Sequence, residues 1–184
     1  IVNLNNLFVC RKEFEKMLGP RLDCLDWDDY FMLMAMIVSQ RSKDPSTQVG
    51  AIIVSADNVV VGTGYNGPAK GIDANKIPWD REGDFVGTKY PYVRHAEENA
   101  VASALRRVPN LKGCKVYSTL FPCHKCANEL VHHDCRDIFY LKDRSEESFV
   151  ASKIILDEVG ANYKQYLVEK KRLTSIFIAL TKML

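Results

Sequence analysis

The apolar positions change period along the chain, and each change marks an element. Residues 1–25 are mixed, with a short helical pattern over Arg11–Leu18 that stops at Gly19-Pro20. From Trp27 the stretch "WDDYFMLMAMIVSQRS" is apolar nearly all round, the pattern of a buried rather than a surface helix. Asp26 suits its N-cap, and Asp28 and Asp29 suit the positive end of its dipole. Met32, Met34 and Met36 read as core filler. Gln48–Ser55 and Val59–Tyr65 are β-branched runs separated by "ADN", which predicts a hairpin. A polar loop rich in Gly, Pro and Asp then runs from Asn66 to Val93, long enough to be a functional lid or a disordered insertion.

After that loop, helical and extended patterns alternate. "HAEENAVASALRR" predicts a helix ending before Pro109, "CKVYSTL" a strand, "CHKCANELVHH" a helix and "DIFYLK" a strand. "ESFVASKIILDEVG" predicts a helix closed by Gly160, "NYKQYL" a strand, and "KKRLTSIFIALTKML" a last amphipathic segment. The order α-ββ-α-β-α-β-α-β-α implies a layered α/β sheet with crossover connections. About a dozen helical residues separate the last two strands, enough for a parallel crossover and far too many for a hairpin.

Composition narrows the class. At 184 residues the chain is expected to form a single domain, 1–184. With 47% hydrophobic residues it can bury a core, and its net charge of +2 argues against a strongly basic nucleic-acid wrapper. No apolar run approaches the roughly 20 residues that cross a bilayer, so no membrane partner is expected. The start lacks a basic end leading into a long apolar run, so no secretory signal is expected either. The chain begins without Met and is expected to be a piece or processed form of a longer protein. Its six cysteines could staple a small secreted scaffold, but a chain of this size needs no staples. A reduced intracellular protein of the cytoplasm or nucleus, with some thiols on a metal, is the expectation.

The candidate chemistry sits in "RHAEENA" and "FPCHKCAN". A catalytic zinc takes three protein ligands and keeps a position open for water, and His95, Cys123 and Cys126 supply that number. Cys123 and Cys126 are spaced to put both sulfurs on one face of a helix's first turn, where the dipole favours thiolate. Pro122 holds Phe121 extended and helps break strand from helix. Within a regular helix His95 and Glu97 would diverge by about 200°, so they converge only if His95 lies in the bent entry. Glu97 is then the base that takes a proton from an activated water. A thioredoxin-like redox pair is the alternative for Cys-x-x-Cys alone, though His124-Lys125 matches it poorly. A structural zinc site would need a fourth ligand from His124, His132, His133 or Cys135. Cys10, Cys24 and Cys114 read as ordinary thiols, Glu98 as a structural carboxylate, and His132 and His133 as helix C-terminal caps.

The order His-x-Glu…Pro-Cys-x-x-Cys is the signature of zinc deaminases of nucleobases. With "DYFMLMAMIVSQRSKDPSTQVGAIIV", "GTGYNGP", "TKYPYVRHAEENA" and "LFPCHKCANELV", the chain resembles the deoxycytidylate (dCMP) deaminase family from Trp27 through about Tyr166. It is also similar to the deaminase domains of proteins that contain cytidine and dCMP deaminase domains. The extensions 1–26 and 167–184 fall outside that resemblance. It implies a cytidine deaminase-like three-layer α-β-α fold, with a five-stranded mixed sheet whose last two strands are parallel. It implies one Zn²⁺ per chain and hydrolytic removal of the 4-amino group from a free deoxycytidine nucleotide, with Glu97 moving protons to N3 and to the departing ammonia. dCMP is the family's default substrate, and dCTP is a second candidate here.

By the same resemblance Arg41, Ser42 and Lys43 help form the phosphate pocket, and Asn66 contacts the sugar hydroxyl and the base. A basic helix end is the alternative for Arg41 and Lys43. A turn Asn tolerating an unusual backbone angle is the alternative for Asn66. Tyr92 and Phe121 could flank the base or simply pack. Many relatives take dCTP and dTTP as effectors through the "GYNG" region, but the loop here departs from the commoner form. It holds no Cys or His, hence no additional zinc ligands. A homo-oligomer, a hexamer or trimer, is implied, with "SIFIALTKML" as a candidate contact. The rivals are a DNA- or RNA-editing deaminase, disfavoured by the near-neutral charge, and a non-catalytic nucleotide-binding module, disfavoured by retention of all three ligands and Glu97.

Overall fold

The Asp26 carboxylate accepts the N–H of Asp29 at 2.8 Å and so starts the first helix where the sequence predicts it. In the computed structural model, which describes residues 24–144, 147–167 and 169–184, this helix, α1, spans Trp27–Ser39. The helical pattern over Arg11–Leu18 and Cys10 lie outside the described residues. There follow β1 (Gly50–Val54), β2 (Val60–Tyr65), the short β3 (Gly67–Pro68) and β4 (Val93–Arg94), and α2 (Ala96–Ala104). The remainder is β5 (Lys115–Leu120), α3 (His124–His132), β6 (Asp137–Lys142), α4 (Glu147–Glu158), β7 (Asn162–Gln165) and α5 (Lys170–Thr181).

Five strands form one mixed sheet in the order β2-β1-β5-β6-β7. β1 is antiparallel to β2 and β5, whereas β6 runs parallel to both β5 and β7. The parallel final pair is the arrangement expected from the length of the α4 crossover. Every residue of β1 is buried, because both faces of the sheet are covered. Ala51 and Ile53 enter one core with Ala100, Val101 and Leu130, while Ile52 and Val54 enter the other with Phe31, Met32 and Ala35. Helices α2, α3 and α4 therefore lie on one face and α1 on the other, giving three layers. Among the described residues no helix is long and apolar enough to cross a membrane.

Helix α1 differs from expectation in one respect. Its inner face is sealed by Phe31, Met32 and Ala35, but Ile37 is 64% exposed. Leu33, Met36 and Ile37 line an apolar groove of about 760 Å³ shared with Ile176, Phe177 and Leu180 of α5. The all-round apolar pattern thus reflects one core face and one open groove. α5 is held there by Arg172, whose Nε lies 2.7 Å from Asp29 Oδ2, while the Tyr166 hydroxyl donates to Oδ1 of the same carboxylate.

The long polar connection is folded rather than disordered. β3 pairs with β4, joining the two ends of the connection. Between them lie two 3₁₀ turns, Ala74–Lys76 and Phe85–Gly87, and the Trp79 indole donates to the Ala74 carbonyl at 2.9 Å. The period of apolar residues carries no trace of these, since each is closed by local polar bonds.

Glycines let α2 approach the sheet. A Cβ on Gly64 would stand 2.2 Å from the Ala96 carbonyl oxygen, and one on Gly62 would stand 2.4 Å from that of Ala100. Two glycines on one face of β2 thus meet the alanine face of α2 backbone to backbone. Gly64→Ala must push α2 outward, and it is expected to cost about 1–3 kcal/mol of stability, measured as a lower urea midpoint. A midpoint equal to that of the unaltered protein would contradict this packing.

Candidate active site

The backbone turns sharply at His95, and that turn makes the site. His95 is the N-cap of α2, with extended backbone (φ −76°, ψ 160°), so its ring leaves the chain before the helix begins. The Glu98 carboxylate accepts the His95 N–H at 2.7 Å, a structural role that holds the cap. Cys123 is likewise the N-cap of α3, with φ −73° and ψ 170°. Two helix N-termini therefore face one another, each presenting from its cap a side chain able to bind a metal.

His95 Nδ1 lies 3.2 Å from Cys123 Sγ and 3.3 Å from Cys126 Sγ, and the sulfurs are 3.6 Å apart. A tetrahedral zinc with ordinary bond lengths spaces two sulfurs about 3.8 Å apart, and nitrogen and sulfur about 3.6 Å apart. The three donors fit such an ion within a few tenths of an ångström. Among the described residues they form a group able to hold a metal. Their chemistry points the same way: the Cys123 thiol pKa is lowered to about 3 by its hydrogen bond with Cys126, with the His95 contact adding to it. The Cys126 thiol is driven well up by that same bond, by burial and by the Glu97 charge. Burial and like charge disfavour ionising both sulfurs, and a cation between them would relieve that.

Other candidate ligands lie apart from this group. The His124 ring meets Ser148 Oγ at 3.1 Å on the surface. His133 pairs with Glu129 at 3.6 Å, and the Cys135 thiol donates to the Cys114 carbonyl at 3.3 Å. Cys24 is exposed and unbridged.

Glu97, in the first turn of α2, is only 3% exposed. Its Oε1 accepts the Ser118 hydroxyl at 2.9 Å, and its Oε2 lies 3.4 Å from Cys126 Sγ. His95 and Glu97 both line a cleft of about 270 Å³, whose wall also includes Val49, Asn66, Tyr90 and Leu120.

The remaining expected residues are placed as follows. Asn66 lines the cleft but is already engaged: Oδ1 accepts the Val49 N–H at 2.7 Å, and Nδ2 donates to the Thr47 carbonyl at 2.8 Å and to Asp44 at 3.2 Å. It does not have the unusual backbone angle; the described non-glycine residues with positive φ are Asn58 and Asp134. Ser42 braces this corner by donating to the Asn66 carbonyl at 2.8 Å. Arg41 and Lys43 are exposed and are not among the lining residues. Tyr92 donates to the Val86 carbonyl at 3.0 Å, and Tyr90, not Tyr92, lines the cleft. Phe121 is fully buried, edge-on to Tyr140, Phe149 and Tyr163. The cleft cations are instead Arg81, Lys89 and Arg144. No spacing rule announces them, since the folded connection and the end of β6 bring them in from distant positions.

This fold, with a His and two Cys beside a buried carboxylate, is the cytidine deaminase-like arrangement. The chain belongs to the cytidine and deoxycytidylate deaminase family: residues 25–142 match the model of its zinc-binding region. It is 38% identical over 150 residues to the deoxycytidylate deaminase of Pongo abelii, covering 80% of this chain and 83% of that one. It is 43% identical over 141 residues to a probable deoxycytidylate deaminase of Caenorhabditis elegans, covering 77% and 70%. Among solved structures it is similar to the dCMP deaminase of the cyanophage S-TIM5 in complex with dCMP and dUMP. That similarity has a TM-score of 0.61 at 21% identity and covers 74% of this chain and 94% of the other.

Lys89 is joined to Asp44 at 2.5 Å, with both side chains nearly sealed from solvent. Asp44 also accepts the Ser46 and Thr47 N–H groups at 2.9 and 3.2 Å, so one carboxylate ties the connection to the Asn66 corner. Lys89→Met leaves that carboxylate buried without its cation and is expected to cost roughly 3 kcal/mol. Denaturant unfolding checks this; a loss below about 1 kcal/mol, as for an exposed pair, would show that the clasp carries little.

Proposed function

We propose that this chain is a zinc-dependent hydrolase that removes the 4-amino group of a free deoxycytidine nucleotide. The observation that carries the reading is the buried Glu97 carboxylate in one cleft with His95 and beside the sulfur of Cys126. The names of the curated relatives support dCMP as the substrate class. A single zinc ion per chain would be held by His95 Nδ1, Cys123 Sγ and Cys126 Sγ, and it would acidify water to near neutrality.

The work of the chain's own residues follows from their placement. Glu97 takes a proton from the attacking water and delivers it to N3 of cytosine as oxygen adds at C4. It then passes the water's second proton to the amino nitrogen, the C4–N4 bond breaks, and ammonia leaves a 4-oxo base. The cleft walls, with Glu97 only 3% exposed, keep bulk water from competing for those protons. Asn66, its amide held by Val49, Thr47 and Asp44, offers a fixed polar edge for the sugar. Arg81 and Arg144 replace Arg41 and Lys43 as the phosphate partners in this reading, since they line the cleft. Two guanidiniums there keep dCTP as a second substrate beside dCMP. The core at 27–166 carries all of these groups, and the groove between α1 and α5 is the face on which a homo-oligomer would form.

Glu97→Gln is expected to keep its metal and bind nucleotide while losing about 10³-fold in turnover, read as ammonia release. Turnover within a few-fold of the unaltered protein would remove Glu97 from the chemistry. Assays of dCMP, dCTP, deoxycytidine and a cytosine-containing oligonucleotide, with metal analysis expected near one ion per chain, rank the substrates. Release from the oligonucleotide alone would favour an editing enzyme. Nucleotide binding with no release from any of the four would favour a non-catalytic module.

A further inference from the structure

Ser118 interrupts the apolar face of β5. Val116 and Leu120, two residues to either side, pack in or against the core beneath α2 and α3. Ser118 between them has no exposed surface. A hydroxyl buried in such a place is costly unless it is hydrogen-bonded. Its partner is Glu97: Oγ donates to Oε1 at 2.9 Å, and the Leu120 N–H approaches the same Oγ at 3.5 Å.

The two carboxylate oxygens of Glu97 are therefore not equivalent. Oε1 is tied to the sheet, and Oε2 faces Cys126 Sγ at 3.4 Å. A thiolate has no proton to donate, so the Cys126 contact cannot anchor Glu97 once both sulfurs hold a metal. Of these two partners, the Ser118 hydroxyl is then the remaining donor. It stands on the central strand, opposite Ala51 of β1 on one side and Tyr140 of β6 on the other, so the strand that carries it is fixed on both edges. The Glu97 side chain, by contrast, turns about three bonds between backbone and carboxylate.

We propose that Ser118 is a positioning residue, which pins Oε1 of Glu97 and thereby leaves Oε2 as the oxygen that carries protons. The inference rests on Glu97 being the proton carrier, and it adds a residue that neither the metal-ligand spacing nor the cleft lining singles out. Ser118 has no exposed surface and does not line the cleft. Its effect must therefore pass through Glu97 and appear in turnover rather than in binding.

Ser118→Ala, which deletes one oxygen atom, is the test in the metal-loaded protein. Expected are a kcat about 10-fold lower, a KM within about twofold, and an unchanged metal content. A crystal structure of the variant is expected to show the Glu97 carboxylate rotated or in more than one orientation. A kcat within twofold of the unaltered protein, or a Glu97 carboxylate that keeps its place in the variant crystal, overturns the proposal. So does a loss of turnover that is matched by loss of metal, since that marks a structural role. If Glu97→Gln is inactive while Ser118→Ala is fully active, only the positioning role fails. If Glu97→Gln is itself active, the reading of Glu97 fails first.

Discussion

His95 and Glu97 lie two residues apart, and inside a helix their side chains would point about 200° away from each other. The extended backbone at His95 removes that obstacle, because a cap residue is free of the helical twist that Glu97 obeys. The rest of the site depends on this bend. It sends the imidazole toward the sulfurs and still lets Glu97, within the first turn, approach from the side. The Glu98 carboxylate fixes the bend by holding the His95 N–H, while Glu97 beside it accepts the Ser118 hydroxyl, so adjacent glutamates have separate partners.

The second helix repeats the device. Cys123 leaves the chain at the cap of α3, and Cys126 follows within the first turn. Facing N-termini place two sets of unpaired N–H groups and two positive dipole ends near one cluster, which favours thiolate sulfur and a carboxylate together. Bringing those ends into contact requires that α2 lie close on the sheet. The glycines of β2 and the alanines of α2 permit it, since a Cβ at Gly62 or Gly64 would collide with helix backbone. Packing and chemistry are thus one constraint here.

On the other side of the cleft, polar bonds do the positioning. Asp44 gathers Lys89, Asn66 and two backbone N–H groups, and so joins the end of α1, the turn after β2 and the approach to β4. Asn66 has its amide shared among three protein groups, and its orientation is set before any ligand arrives. A cleft wall built this way is rigid without being apolar.

The strand and helix order, the parallel last pair and the ligand trio could be read from the chain, because each depends on residues near one another in sequence or on a period that the sheet imposes. Phe121 shows where local reading stops. An aromatic next to Pro-Cys-x-x-Cys looks able to flank a base, yet the chain breaks the strand's alternation after Leu120 and turns Phe121 into the core among Tyr140, Phe149 and Tyr163. Arg41 and Lys43 show the same limit, since a basic helix end carries no information about which way the following loop leaves. Lys89, Arg81, Arg144 and Ser118 carried no signal at all, for their roles depend on partners 21 to 45 residues away or on a shared cleft. The sequence by itself determined which residues form a group that could hold a metal. Only the tertiary structure decided which charges line the cleft and which hydroxyl meets Glu97, because those contacts exist only once separate segments have packed together.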